Sequence, residues 1–174
     1  MSTLYAIGHS THPLDEFIEI LHAHRVTVLA DIRTVPKSRH APQFNQESLA
    51  RELPKAGITY RHLKELGGWR RATKDSINAG WRNASFRGYA DYMLTREFVH
   101  ALRGLMRIAK GERVAIMCAE GNPFRCHRSL VADALTVRGV RVLHISSRTS
   151  AKAHRLTPFA QVDGTRITYP GKEQ

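Results

Sequence analysis

The 174-residue chain has 42% hydrophobic and 24% charged residues, a composition typical of one globular domain with a substantial core. Its 27 Lys and Arg exceed its 15 Asp and Glu, so the formal charge of +12 favours anionic partners, although a merely basic surface explains it equally well. It has no membrane-spanning apolar run, no signal-like N-terminus and only two cysteines, so we expect a cytoplasmic protein with no membrane partner and reduced thiols.

The first third of the chain predicts a βαβ unit. Residues 4–7 are apolar and lead into a polar turn, which is typical of a strand and its following loop. Residues 13–21 then start with proline and keep apolar positions at helical spacing. Residues 26–32 are β-branched and apolar, as in a buried parallel strand that ends near Asp31 and Arg33.

The middle of the chain alternates loops with short elements. Residues 34–45 are polar and form a predicted loop, residues 46–55 a helix, and residues 58–63 a strand. Residues 70–88 have no clear period. We therefore predict a long loop there, of the kind that often serves as a lid or binding loop.

The second half resumes the alternation of helices and strands. Residues 98–109 share a helical face, and residues 114–118 form the predicted central strand. Residues 130–135 supply the buried stripe of the next helix, and residues 140–145 form one more strand. Each of these two helices is closed by a glycine.

This alternation predicts a single α/β domain with a mainly parallel sheet flanked by helices, a Rossmann-like three-layer arrangement. The core extends over about residues 4–146. Residues 147–174 form a C-terminal extension, in which Asp163-Gly164 predicts the turn of a small hairpin.

Polar residues follow the predicted strands, and parallel strands bring their carboxyl ends to one side of a sheet. A crevice there would collect His9 and Ser10, Asp31 and Arg33, Cys118 and Glu120, and His144. Carboxylates beside arginines and a histidine are a common setting for proton transfer, so we predict general acid and base roles for Asp31, Glu120 and His9.

Cys126 is the candidate nucleophile, because we predict it in the first turn of a helix, where the helix dipole and adjacent arginines favour a thiolate. The alternative is a small buried thiol that only packs. His127 is either catalytic or a hydrogen-bonded core histidine. Arg33 and Arg128 could bind an anion at the helix start, or form salt bridges with nearby carboxylates.

Two other arrangements of the cysteines fit poorly. Six residues separate Cys118 from Arg125, one more than in a thiol phosphatase loop, and Glu120 would oppose a phosphate there. Zinc held by both cysteines with His127 and His9 would lack the usual structural spacing. We therefore expect no metal, and no motif indicates a cofactor.

The segment Arg61–Arg87 is basic and carries aromatic residues, including Trp81 and Phe86. Interleaved basic and aromatic side chains can bind nucleic acid, so a nucleic-acid-binding accessory protein is our alternative function. A solvated surface explains the same composition.

The chain resembles the uncharacterised family called domain of unknown function 488. The resemblance rests on IGHS at 7–10, DIRTVPKSR at 31–39, ITYRHLKELGG at 58–68, MCAEGNPFRCHR at 117–128 and HI at 144–145. It implies an α/β fold with polar motifs suggestive of an active site, and it implies no particular reaction.

These observations predict a hydrolase or transferase that acts on an anionic substrate bearing phosphate or carboxylate, a nucleotide included, by acid–base or thiol chemistry. The predicted catalytic residues are Asp31, Glu120, Cys126 and His9. The predicted substrate-binding residues are Ser10, Arg33, Arg39, Cys118, His127 and Arg128. The sequence indicates neither the exact substrate nor the oligomeric state.

Overall fold

Six strands form the main sheet of the molecule. The structure is a computed structural model that describes residues 2–172, and its strands are β1 (Thr3–Gly8), β2 (Val28–Asp31), β3 (Thr59–His62), β4 (Val114–Cys118), β5 (Arg141–Ser147) and β6 (Ser150–Ala153). Their order is β3-β2-β4-β1-β5-β6. The first five are parallel, and β6 pairs antiparallel with β5. The predicted single α/β domain with a mainly parallel sheet is confirmed.

Five α-helices connect these strands in the described part of the chain. They are α1 (Leu14–Ala23), α2 (Gln46–Lys55), α3 (Ala84–Tyr92), α4 (Arg96–Gly111) and α5 (Arg128–Thr136). Two of these helices begin at N-cap residues. The side chain of Asn83 accepts hydrogen bonds from backbone amides in the first turn of α3, and the side chain of Thr95 accepts one from the first turn of α4. Among residues 2–172, no helix combines the length and the apolar character that a membrane crossing needs.

The helices cover both faces of the sheet and create two hydrophobic clusters. Phe17 of α1 and Leu49 of α2 pack on one face, and Phe98 of α4 and Leu130 of α5 pack on the other. Strands β1 and β4 are buried on both faces, which explains their continuous apolar runs. This arrangement confirms the predicted three layers, and it leaves the carboxyl ends of the central strands as the open edge.

The structure differs from the sequence prediction in four places. The unstructured region predicted up to residue 88 stops earlier, because the Asn83 cap starts α3 at Ala84. Helix α5 begins at Arg128, so Cys126 lies before the helix and not in its first turn. Strand β5 continues to Ser147, which places His144 within the strand and not at its end. Strand β6 was not predicted, since its four residues include no strongly apolar side chain.

The predicted C-terminal hairpin is present. Strands β7 (Gln161–Asp163) and β8 (Arg166–Thr168) pair antiparallel, and Gly164 adopts a positive φ of 63° in the turn between them. Ile167 and Tyr169 from this end of the chain are buried in the cluster beneath α4 and α5. The hairpin therefore contributes to the main core.

Candidate functional site

A crevice of about 400 Å³ lies at the carboxyl ends of β1, β2 and β4. The strands contribute polar side chains directly at or after their last residues, and two loops cover the edges. The lining residues are His9, Arg33, Thr34, Val35, Lys37, Ser38, Gly68, Trp69, Ser85, Phe86, Cys118, Ala119, Glu120, Arg125, Cys126 and His127.

The close approach of two backbones shapes the floor of this crevice. The amide groups of His9 and Ser10 donate hydrogen bonds to the carbonyl groups of Cys118 and Ala119 at 3.0 and 2.9 Å. A Cβ atom on Gly8 would lie only 1.7 Å from the carbonyl oxygen of Glu120. Glycine at the end of β1 is therefore what allows the loop after β4 to fold back over the sheet edge.

Asp31 and Arg33 form a buried ion pair beneath the crevice. Arg33 Nη2 lies 2.7 Å from Asp31 Oδ2, and the Arg33 Nε donates to Asp31 Oδ1 at 2.9 Å. The Tyr60 hydroxyl donates to the same carboxylate at 2.6 Å. Burial, and to a smaller extent the charge of Asp31, raises the pKa of Tyr60. Both oxygens of Asp31 are thus occupied by protein donors.

His9 is held as a neutral ring at the side of the crevice. Its Nδ1 lies 2.7 Å from the Ser10 carbonyl oxygen, its Nε2 lies 3.3 Å from Arg33 Nη1, and its ring stacks on Phe44 with centroids 4.4 Å apart. Burial is the main reason that its pKa is lowered to about 4. Since the Arg33 nitrogen can only donate, Nδ1 of His9 carries the proton.

The two cysteines lie together at the base of the crevice, where neither forms a disulfide. Burial opposes ionisation of Cys118, but a hydrogen bond from Cys126 and the charge of Arg128 outweigh it and lower the Cys118 pKa. The same hydrogen bond, together with burial, raises the pKa of Cys126. Of the two thiols, Cys118 is therefore the more acidic.

His127 lies against the second thiol. Its Nε2 lies 2.8 Å from the Ile32 carbonyl oxygen, which leaves Nδ1 as an acceptor 3.4 Å from Cys126 Sγ. Burial lowers the His127 pKa to about 4, so this ring is neutral at pH 7. Gly68 packs closely over it, since a Cβ there would lie 2.7 Å from Nδ1.

The crevice contains six of the ten residues that the sequence singled out as site candidates: His9, Arg33, Cys118, Glu120, Cys126 and His127. The other four lie elsewhere. Asp31 is fully buried below the crevice, and Ser10 and Arg39 are exposed outside its lining. Arg128 is buried and faces a different cavity. The functional roles of all ten residues stay predictions.

Several lining residues were not named as site candidates, although the sequence carried a signal for them. Lys37 and Ser38 belong to the polar loop after β2, which was placed near this edge. Ser85 and Phe86 belong to residues 70–88, the segment predicted to act as a lid or binding loop, and Trp69 directly precedes it. Trp69 is 74% exposed, an unusual position for tryptophan.

In the basic segment Arg61–Arg87, several aromatic and cationic side chains pack against other side chains of the protein. Trp81 packs edge-on against Phe86 and Phe159, at centroid distances of 5.2 and 4.9 Å. The Arg70 guanidinium lies 3.6 Å from the centre of the Tyr92 ring. Arg87 is half-buried and donates to the Trp81 carbonyl oxygen at 3.2 Å. The other five cations are exposed, and nucleic-acid binding by this segment stays a prediction. The exposed ones are Arg61, Lys64, Arg71, Lys74 and Arg82.

The candidate zinc ligands do not assemble. Within residues 2–172, no group of three or more His, Cys, Asp and Glu side chains is arranged to hold a metal ion. The cysteines and His127 are close together, but the His127 Nε2 is bonded to a backbone carbonyl and Nδ1 faces Cys126. The cysteine sulfurs likewise have protein partners, the Glu120 carbonyl oxygen for Cys118 at 3.5 Å and the Arg128 amide for Cys126 at 3.5 Å.

A comparison with known protein families matches residues 13–135 to the domain of unknown function DUF488. The chain belongs to this family. The matched region of the DUF488 domain includes the motifs at 31–39, 58–68 and 117–128, whereas IGHS at 7–10 and HI at 144–145 lie outside it. Neither curated proteins nor solved structures gave a match. Family membership agrees with the resemblance noted from the motifs and leaves the reaction open.

Proposed function

We propose that the protein is an enzyme that uses a cysteine thiolate to hydrolyse or transfer a group on a small anionic substrate. The observation that carries the proposal is that both cysteines line one crevice, at the open edge of a parallel sheet, together with cationic side chains. Such sheet edges are where α/β proteins commonly bind ligands.

The thiolate belongs to Cys118 in this proposal. Its pKa is lowered by the Cys126 hydrogen bond and the Arg128 charge despite its burial, whereas the pKa of Cys126 is raised. The sequence predicted that Cys126 lies in the first turn of α5, where the helix dipole would favour its thiolate. That helix starts two residues later, at Arg128. In catalysis, the Cys118 sulfur would bond to the electrophilic atom as the leaving group departs, and water or an acceptor would then break that bond.

Cys126 and His127 support the nucleophile. The Cys126 thiol holds the proton that stabilises the neighbouring thiolate by hydrogen bonding. When the Cys118 sulfur has bonded to the substrate and no longer accepts that proton, the neutral His127 ring, oriented by the Ile32 carbonyl, offers Nδ1 as the alternative acceptor. A thiol next to a base that is itself held by a third group is the arrangement of many nucleophilic sites.

The charge of the crevice favours an anionic substrate. Lys37 and Arg125 are exposed at its rim, and Glu120 is the one acidic side chain among the described residues that line it. Arg33 is already paired with Asp31, so the two rim cations supply the unpaired positive charge. Trp69 adds an exposed aromatic surface for an apolar part of the substrate.

Two alkylating reagents that differ in charge test this proposal. Iodoacetate and iodoacetamide both transfer a group to a thiolate with loss of iodide, but only iodoacetate is anionic. We expect mass spectrometry to find modification at Cys118 first, and the ratio of the iodoacetate rate to the iodoacetamide rate to exceed that of free cysteine by about tenfold. Cys126→Ala should raise the pH midpoint of the reaction, because alanine cannot donate the hydrogen bond that the Cys126 thiol gives to Cys118.

The matched control is the double variant Lys37→Ala/Arg125→Ala, which should lose the preference for iodoacetate while its thiol still reacts. Preferential modification of Cys126 would move the nucleophile to that residue. A rate ratio equal to that of free cysteine would contradict an anionic substrate. Hydrolysis of p-nitrophenyl phosphate, or of the succinate monoester of p-nitrophenol, should disappear in Cys118→Ser.

A further inference from the structure

A second cavity, of about 660 Å³, lies between the loop after β4 and strands β5 and β6. We name it the Arg128 cavity, and Arg128, His144, Lys152, Arg155 and Phe124 are among the residues that line it. It shares no lining residue with the crevice of the proposed enzyme. From its charge and its unpartnered buried donors, we propose that the Arg128 cavity binds an organic phosphate ester that carries an apolar group.

The cavity is positively charged. Arg128, Lys152 and Arg155 all line it, and none of the described residues that line it is acidic. Lys152 and Arg155 are exposed at its mouth, whereas Arg128 is only 1% exposed. A phosphate bound in this cavity would therefore lie near one buried and two exposed cations.

Arg128 has unused hydrogen-bonding capacity. Its Nη2 donates to the Gly121 carbonyl oxygen at 3.2 Å, but its Nε and Nη1 are buried without any partner among residues 2–172. No carboxylate in that range lies within 4.0 Å of its guanidinium nitrogens, although the ion pair of Arg33 shows that this fold can supply one. A buried guanidinium with free donors is unfavourable unless an anion accepts from it.

His144 provides a second unsatisfied atom at the same cavity. Its Nε2 lies 2.8 Å from His154 Nδ1, and the His154 Nε2 lies 2.7 Å from the buried Asp133 carboxylate. Asp133 also accepts from Thr157 and Tyr169, so it is firmly held. If His154 donates to Asp133, its Nδ1 accepts from His144, and the buried Nδ1 of His144 is left as a free acceptor for a ligand hydroxyl.

The remaining wall of the cavity is apolar. Phe124 is 68% exposed and lies at this wall together with Pro123, Ile145 and Ala153. Large exposed aromatic side chains often mark ligand or partner contacts. Inorganic phosphate would use the cationic end alone, whereas an aryl phosphate would also cover Phe124.

Titration calorimetry with phenyl phosphate tests the proposal on the intact protein. We expect saturable binding that weakens at least about tenfold in Lys152→Ala/Arg155→Ala, whose two side chains are exposed and make no hydrogen bond with described residues. Inorganic phosphate should bind more weakly than phenyl phosphate, and phenol should not bind detectably.

The double variant Lys37→Ala/Arg125→Ala distinguishes this cavity from the crevice, because those cations line only the crevice. Any phenyl phosphate that also enters the crevice should be lost in this variant, whereas one site of unchanged affinity should remain. Loss of binding in this variant, with retention in Lys152→Ala/Arg155→Ala, would overturn the proposal and place the anion in the crevice. Absent binding, or equal binding of phenol, would overturn it as well, and neither result would affect the alkylation test of Cys118.

Discussion

The most constrained side chains at the sheet edge are Asp31 and Arg33. They are 0% and 8% exposed, and Asp31 accepts hydrogen bonds from the Arg33 backbone, the Arg33 side chain and Tyr60. A buried ion pair adds little net stability compared with apolar residues, but removing one partner leaves an uncompensated charge. The pair therefore acts on the site by fixing Arg33 and, through it, His9.

Asp31→Asn should destabilise the fold strongly. The substitution keeps the shape of the side chain but leaves Arg33 buried without its counter-charge, so we expect a loss of about 3–5 kcal/mol in the free energy of unfolding. Tyr60→Phe removes one hydrogen bond to the same carboxylate and should cost about 1 kcal/mol. Urea unfolding followed by circular dichroism measures both.

The control for these two substitutions is Asp75→Asn, which alters an exposed carboxylate that forms no ion pair with any described residue. We expect a change within about 0.5 kcal/mol. If Asp31→Asn proved equally mild, the buried ion pair would have no role in holding the crevice, and His9 would have to be oriented by Phe44 and Ser10 alone.

At the scale of elements, the site depends on how the ends of β1 and β4 meet. Gly8 and Cys118 are paired in register, and the chain turns back immediately afterwards so that the Glu120 carbonyl lies over Gly8. This turn separates the crevice on one side from the Arg128 cavity on the other. The positive charge of Arg128 contributes to the lowered pKa of Cys118.

Gly8→Ala should destabilise the protein and disturb the site together. The new Cβ would lie 1.7 Å from a backbone oxygen and 2.8 Å from Arg128 Nη1, so the loop after β4 must move. We expect a loss of about 1–3 kcal/mol and a slower reaction of Cys118 with iodoacetate. Thermal unfolding and the alkylation rate report the two effects.

Gly104→Ala is the matched control, and we expect it to stabilise the protein where Gly8→Ala destabilises it. Gly104 lies within α4, and a Cβ there meets no atom within 4 Å. Alanine should therefore stabilise the helix by about 1 kcal/mol and leave alkylation unchanged. A stable Gly8→Ala protein with normal alkylation would show that the loop can relax away from β1.

For the whole molecule, the fold keeps three histidines neutral. Burial, as the main cause, lowers the pKa values of His9 and His127 to about 4 and that of His144 to about 3. The unfolded chain binds protons at these positions below about pH 6.5. Between about pH 6.5 and the lower pKa values of the folded state, protonation of these histidines therefore favours the unfolded chain.

Stability should consequently decrease as the pH falls from about 7 to 5. Each of the three histidines contributes a slope on the order of 1 kcal/mol per pH unit below about pH 6.5, and the contributions add. Urea unfolding at half-unit pH intervals measures the slope. His40→Gln, which changes an exposed side chain, should give the same curve as the parent protein. A flat curve over this range would mean that these rings accept protons without unfolding.

The sequence alone determined the class of fold and the edge where polar residues converge. Apolar runs, helical spacing and glycine stops depend on neighbours along the chain, so β1, β2, β4, α1 and α2 could be predicted from local pattern. The hairpin at Asp163-Gly164 was predictable for the same reason, since its turn chemistry is local. Strand β6 had no such signal, because it is stabilised by pairing with β5.

Only the tertiary structure decided which polar residues face the crevice. Asp31 ends strand β2 and Arg128 begins helix α5, yet Asp31 is buried in an ion pair and Arg128 faces the second cavity. The lower pKa is that of Cys118 and not that of Cys126, because the two thiols interact with each other and Cys118 interacts with the charge of Arg128. Burial and charge act through space, so a side chain's partners are fixed only when the elements pack together.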